Sequence, residues 1–336
     1  MKSPPLALTL GDPAGIGPEI TVKAWTALRE TGPAFMVVGD FDLLGSASPS
    51  SAPTLRRVAS AGEAADAFRQ ALPVLDIPLR VRPVSGKADP AYAATVIRWI
   101  ETAVGLALSG DVSGVVTAPI AKAPLYEAGF KFPGHTEFLA ELSASARQEG
   151  ARGPVMMLTA GGLRTVLVTI HAPLSQVPAL LNFEAVVNVG RVTAQALRQD
   201  FGIQQPRLAM AGLNPHAGES GAIGREEIDI LLPAARALRD LGVDCEDPRP
   251  ADSLFHAEAR ARYDAVICLY HDQALIPVKM LDFWGGVNVT LGLPIVRTSP
   301  DHGVGFDIAG RGVARPDSLI AAVRLAGEIA ARRQNA

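Results

Sequence analysis

Short apolar runs alternate with amphipathic helix patterns from one end of this chain to the other, an order that restricts it to a layered α/β fold. The strand-like runs cover 6–10, 35–38, 114–117, 155–158, 165–170, 207–211, 265–269 and 287–291. Apolar residues at helical spacing predict helices over 91–108, 136–147, 183–199, 225–241 and 316–333. A chain of 336 residues with 48% hydrophobic content is expected to form two domains rather than one. The last helix is long and amphipathic and should pack back on the N-terminal strands. The expected arrangement is therefore a discontinuous α/β domain, 1–134 plus 298–336, with a central α/β domain over 135–297. The run Ser-Ala-Ser-Pro-Ser-Ser within 45–53 reads as a surface loop, and no internal repeat is evident.

A formal net charge of −3 and the lack of a basic run argue against nucleic acid or an anionic membrane as the main partner. An anionic substrate would have to be held by a few locally placed cations. Only two cysteines occur, Cys245 and Cys268, so no disulfide framework is expected. The N-terminus lacks the apolar core of a signal peptide, and no apolar run approaches bilayer-spanning length, so a cytoplasmic location follows by default.

Half of the six histidines follow directly on strand-like runs: His171 after 165–170, His216 after 208–215 and His271 after 265–270. One such histidine is more often a hydrogen-bonded structural residue than a ligand. Three in the same context shift the balance, because ligand sites of α/β proteins gather at the C-terminal ends of parallel strands. Three imidazoles without a thiolate suit Zn²⁺ or another borderline divalent ion and leave coordination positions open for substrate. Asp272 is placed to fix the ring of a neighbouring ligand.

Other segments carry weaker signals. The glycine-rich stretch 214–227, with Gly218, Gly221 and Gly224, opens a helix where amides and the helix dipole can receive a phosphate, although it lacks the G-x-G-x-x-G spacing. Such a loop is as often a plain turn. Gly11-Asp-Pro-Ala-Gly-Ile-Gly-Pro-Glu19 joins the first strand to a helix with Pro18 in its first turn, and its glycines can serve tight packing alone. Gly134-His135-Thr136-Glu137 precedes another helix, so Thr136 can cap it while His135 faces an anion. Asn288 and Arg297 interrupt apolar runs, and an arginine fork suits a carboxylate or phosphate. Lys279, a few residues beyond His271, could approach the metal and act in proton transfer, the alternative being a solvated helix lysine.

On the motifs at 11–19, 134–137, 213–219, 250–255, 270–273 and 286–294, the chain resembles the 4-hydroxythreonine-4-phosphate dehydrogenase family across nearly its full length. The resemblance implies two α/β/α domains of the isocitrate and isopropylmalate dehydrogenase kind, an active site in the interdomain cleft, and a homodimer with shared active sites. It implies that His171, His216 and His271 bind one divalent metal, Zn, Mg or Co, with histidines from both subunits. It places His135, Thr136, Lys279, Asn288 and Arg297 on the substrate, with Asp252 and Asp272 as further active-site groups. The segment 301–316, with His302 and Gly303, looks like the loop that holds the adenosine of NAD or NADP in the wider superfamily. Here the chain departs from the usual pattern, with Val304-Gly305 where a small hydroxyl residue and alanine are common, and Ala274 where glycine is usual.

The activity so implied is metal-dependent, NAD(P)-linked oxidation of 4-phosphohydroxy-L-threonine at C3, followed by decarboxylation to 3-amino-2-oxopropyl phosphate. Lys279 and Asp272 are the expected catalytic groups. A sister dehydrogenase of 4-phospho-D-threonate or 4-phospho-D-erythronate shares the metal, phosphate and cofactor requirements but lacks the substrate amine. A metal hydrolase would use the same ion without a nicotinamide, and a silent binding protein would hold the phosphate without turnover.

Overall fold

The computed structural model describes residues 3–47, 54–132 and 134–335. Of the surface loop expected over 45–53, residues 48–53 lie outside the described residues, while Gly45 and Ser46 close the short helix Phe41–Ser46. The chain divides into two compact units: one runs to Arg147 and resumes over Pro294–Ala331, the other is Gln148–Leu293 with the residues from Arg332. His135 and Arg297, expected in the central segment, thus belong to the first unit.

In the first unit the strands are β1 (Leu6–Thr9), β2 (Phe35–Gly39), β3 (Leu55–Arg57), β4 (Leu72–Asp76) and β5 (Val115–Thr117). In the second they are β6 (Val155–Ala160), β7 (Leu163–Leu167), β8 (Arg207–Met210), β9 (Asp244–Cys245), β10 (Ala265–Cys268) and β11 (Val287–Leu291), and β12 (Arg297–Pro300) returns to the first. The first-unit sheet has the order β3-β4-β2-β1-β5-β12 with every pair parallel. Its inner strands are buried along their whole length, as continuous apolar runs covered on both faces require. Helix Ala93–Leu108 packs Trp99, Ile100, Ala103 and Val104 into this core. Contrary to expectation, the stretch Pro90–Leu108 is long and apolar enough to cross a membrane by length and composition, yet its apolar stripe is used inside the unit.

The second-unit sheet has the order β11-β6-β7-β10-β8-β9, antiparallel across β11-β6-β7 and parallel from β7 to β9. Its core gathers Met156, Leu158, Leu167, Val266, Cys268 and Val278. Ala274 is fully buried in this cluster, so its methyl group has a home. Both cysteines are free and buried, and burial pushes the Cys245 thiol up to about 12 and that of Cys268 further up, which leaves them inert.

Two predicted helices change. Over 225–241, Glu227–Leu231 winds as a π-helix before the α-helix Leu232–Asp240, because Pro233 supplies no amide to the turn before it. The helix expected over 136–147 is the shorter His135–Leu142. Helix Phe183–Gln199, in contrast, forms over the predicted span, with Asn182 capping it by accepting from the amide of Ala185 at 2.8 Å.

Candidate active site

Parallel pairing brings two of the three histidines together. Leu167 of β7 is level with Cys268 of β10, and past the strand ends the Val168 and Thr169 amides still donate to the carbonyls of Cys268 and Leu269. The chains therefore leave the sheet side by side. The rings of His171 and His271 are 6.1 Å apart between centroids and line a cavity of about 330 Å³ with Tyr270 and Asp272. Nδ1 of His271 is 2.7 Å from the Asp272 carboxylate, which fixes the ring and leaves Nε2 as the free donor to a ligand. Two imidazoles facing one cavity, one of them oriented by a carboxylate, fit a borderline divalent ion.

His216 does not join them within one chain. Among the described residues, no group of three His, Cys, Asp or Glu is placed to hold a metal ion. The reason is the backbone: His216, Ala217, Gly218, Glu219 and Ser220 all have positive φ, between 44° and 80°. This is a left-handed turn, costing about 1–2 kcal/mol for each residue other than glycine, and it carries His216 on an exposed loop. The turn is held from beneath. Glu227, 2% exposed, accepts the Asn214 amide at 2.8 Å and the Asn214 side-chain NH₂ at 2.9 Å, and that NH₂ also donates to Glu226 at 2.7 Å. The hydrogen bond from Asn214 holds the Glu226 carboxyl below its usual range. Gly218 and Gly224 thus pack against Glu227 and Asn214 rather than framing an open phosphate cradle, and Gly221 closes the turn at φ 93°.

A separate polar site lies in the first unit, at the start of helix His135–Leu142. The cap position is Gly134, not Thr136, and among the described residues no side chain caps the helix, so its first amides are available to an anion. A Cβ at Gly134 would stand 3.6 Å from Lys122 Nζ. Arg297 is only 3% exposed and donates to Thr117 Oγ1 at 2.8 Å. Burial, with Arg297 and Lys122 nearby, pushes the His135 imidazole well below its ordinary value, so the ring is neutral at physiological pH. Its Nε2 is hidden from solvent and lacks a hydrogen-bond partner among the described residues. Burial lowers the Arg297 guanidinium to about 10, an effect that Glu137 opposes. Arg297, His135, the first amides of the helix and Lys122, with the Glu137 carboxylate beside them, make a candidate receptor for a compact anion.

The strap after β12 is pinned to the 11–19 loop. Ile16 donates to the Val304 carbonyl at 2.9 Å. Glu19 accepts the amides of Ala314 at 2.8 Å and Gly312 at 3.2 Å, while Lys23 donates to the carbonyls of the same two residues. A cavity of about 470 Å³ opens beside this junction, lined by Pro13, Gly15, Ser85 and Gly310 among others. Gly303 has open space around its Cα, and His302 Nδ1 hydrogen-bonds the Gly303 carbonyl at 3.0 Å. Val304 lies where a Cβ on Gly15 would stand, and Gly305 has φ 62°. The departure at 304–305 is accommodated by a glycine on each side of the contact.

Of the remaining residues, Asn288 on β11 has a buried Oδ1 without a hydrogen-bond partner among the described residues, the mark of a group awaiting a ligand. Asp252 is exposed on the turn Ala251–Ser253. Lys279 shares helix His271–Leu281 with His271 but lies eight residues along it, about 12 Å at 1.5 Å per residue. It does not line the histidine cavity of its own chain, and its Nζ is 5.1 Å from the Phe283 ring centroid. Sequence reasoning missed Lys122 and Thr117: a lone lysine and a strand threonine carry no motif, and only the return of β12 beside β5 brings Arg297 to them.

The model of the family described as pyridoxal phosphate biosynthetic protein PdxA matches residues 32–326. A curated 4-hydroxythreonine-4-phosphate dehydrogenase of Caulobacter vibrioides is 69% identical over 99% of each chain, and one of Maricaulis maris is 58% identical over 97% of each. The solved structure of the 4-hydroxythreonine-4-phosphate dehydrogenase of Klebsiella pneumoniae superimposes with a TM-score of 0.84 at 39% identity, over 98% of this chain and 100% of that one. With the family model and full-length relatives in agreement, the chain belongs to the PdxA family of pyridoxal phosphate biosynthetic proteins.

Proposed function

We propose that this protein is an NAD(P)-dependent dehydrogenase that oxidises C3 of 4-phosphohydroxy-L-threonine and releases CO₂ to give 3-amino-2-oxopropyl phosphate. The observation that carries this reading is the buried Arg297 beside a neutral His135 at an uncapped helix start. Such a site takes the phosphate as a dianion, with Arg297 supplying a planar fork, Thr136 and the amides closing round it, and Lys122 adding charge at the rim. Neutral His135 can still donate one N–H without presenting a further buried cation. Asn288 Oδ1 suits the substrate ammonium or hydroxyl. His171, His216 and His271 hold the divalent ion, and His302 and Gly303 receive the cofactor's adenosine. When bound, these groups supply the hydride acceptor and a Lewis acid that favours ionisation of the C3 hydroxyl and of the enol formed on CO₂ loss.

The histidines meet in a homodimer on this reading. Along helix His271–Leu281 and the turn after it, Ile276, Met280, Phe283 and Trp284 form an exposed apolar stripe, Met280 being 83% exposed. A contiguous patch of this kind on the helix that begins with a candidate ligand suits a second copy of the chain, and it flanks Lys279. Lys279 then serves proton transfer in the neighbouring copy's site, with Asp272 orienting His271 and Asp252 nearby as a further acid. Met280→Glu is expected to shift the protein to monomers in sedimentation equilibrium and to lose turnover with the dimer. A dimeric, fully active variant would sink the shared-site reading.

The function is tested by following nicotinamide reduction with metal-replete enzyme, NAD or NADP, and each of 4-phosphohydroxy-L-threonine, 4-phospho-D-threonate and 4-phospho-D-erythronate. Chelator-sensitive turnover of the amino acid, with CO₂ release, is the expected result. Preference for a sugar acid would move the protein to the sister activity, and metal-dependent hydrolysis without nicotinamide reduction would favour the hydrolase.

A further inference from the structure

The left-handed turn that carries His216 rests on a buried carboxylate, and nothing in the dehydrogenase chemistry explains that carboxylate. Glu227 opens the π-helix Glu227–Leu231, a rare winding that recurs at functional sites because it turns a side chain off the regular helical face. Its carboxylate points back under the loop. A Cβ on Gly218 would stand 2.7 Å from Oε2, so a side chain there would displace the carboxylate, and one on Gly212 would meet Oε1 in a tight 3.2 Å contact. Between them the carboxylate grips Asn214 twice, through its main-chain N–H and its side-chain NH₂. Two residues further on, His216 begins the run of positive φ. Turns held in sparsely populated backbone states persist only where their surroundings over-determine them, and here Asn214 and Glu227 provide the grip.

We propose that Glu227 is a positioning residue for metal binding: acting through Asn214, it locks the left-handed turn that presents His216 to the ion. This rests on the assignment of His216 as a ligand, and the test separates the two. It uses full-length protein stripped of metal, with Co²⁺ as the probe, titrated by calorimetry and followed by the visible ligand-field spectrum. In Glu227→Ala and Glu227→Gln, Co²⁺ affinity is expected to fall about 10- to 100-fold, the scale on which groups behind a ligand act. The spectrum should move toward that of His216→Ala. The double variant His216→Ala/Glu227→Ala should bind no more weakly than His216→Ala alone, since both changes remove the same ligand. Arg225→Ala, which breaks only the exposed pair with Asp229, should bind as the parent does.

Wild-type Co²⁺ affinity and spectrum in the Glu227 variants would overturn the proposal. Additive losses in the double variant would overturn it as well, by placing the effect of Glu227 elsewhere. Unchanged Co²⁺ binding by His216→Ala would instead overturn the ligand assignment itself. Should Glu227→Ala not fold, Glu227→Gln carries the test, because it keeps the side-chain volume and one carbonyl oxygen for the Asn214 N–H.

Discussion

Replacing His271 by alanine is expected to reduce metal-dependent turnover by at least about 10³-fold, since a Lewis acid supplies several kcal/mol to the transition state. The loss should track metal content, which inductively coupled plasma spectrometry of the purified variant will show. Asp272→Asn is the graded companion. The carboxylate 2.7 Å from His271 Nδ1 orients the ring, and its loss should weaken metal binding about 10- to 100-fold while turnover at saturating metal recovers in part. Equal loss in both variants, beyond rescue by metal, would mean that Asp272 acts on substrate rather than on the ring. Retained metal and turnover in His271→Ala would remove the histidine site altogether.

Arg297→Met is expected to raise KM for the phosphorylated substrate about 30- to 1000-fold, corresponding to the roughly 2–4 kcal/mol lost when one partner of a buried charged pair is removed. Arg297→Lys should recover little, because a lysine keeps the charge but not the fork that meets Thr117 and the anion together. The variant also reports on pH. After burial, Arg297 is the strongest influence holding the His135 imidazole below its ordinary value, so His135 titrates higher in Arg297→Met, which NMR of the imidazole will register. In the parent protein the depressed value means that the folded state binds fewer protons than the unfolded chain. This contribution to stability is present above the unfolded value of about 6.5 and is lost as pH falls through and below it. Unchanged KM in Arg297→Met would place the phosphate elsewhere.

The strands that place the candidate metal ligands were readable as apolar runs, 165–170 before His171 and 265–270 before His271. Strands without a continuous apolar run were invisible. Leu55–Arg57 carries two arginines at a sheet edge, Leu72–Asp76 contains a proline, and Arg297–Pro300 reads as a polar loop although every residue in it is buried. The left-handed turn was equally hidden, since only Gly218 among its five residues has the composition for positive φ. Its cause is the carboxylate of Glu227, nine residues beyond that glycine and on another element. Lys122 enters the anion site for the same kind of reason, through the placement of Gly134 and not through a motif.

The contact between Gly15 and Val304 bears on how loops of this protein can be exchanged. The two positions lie far apart in sequence, yet a side chain on one fills the space that the other leaves, and Ile16 crowds the Cα of Gly305 in the same junction. A chimera that imports the strap of a relative with a smaller residue at 304 would leave a void over Gly15, and one that imports an N-terminal loop with alanine at 15 would collide with Val304. The two loops are therefore one exchangeable cassette, to be transplanted together or not at all.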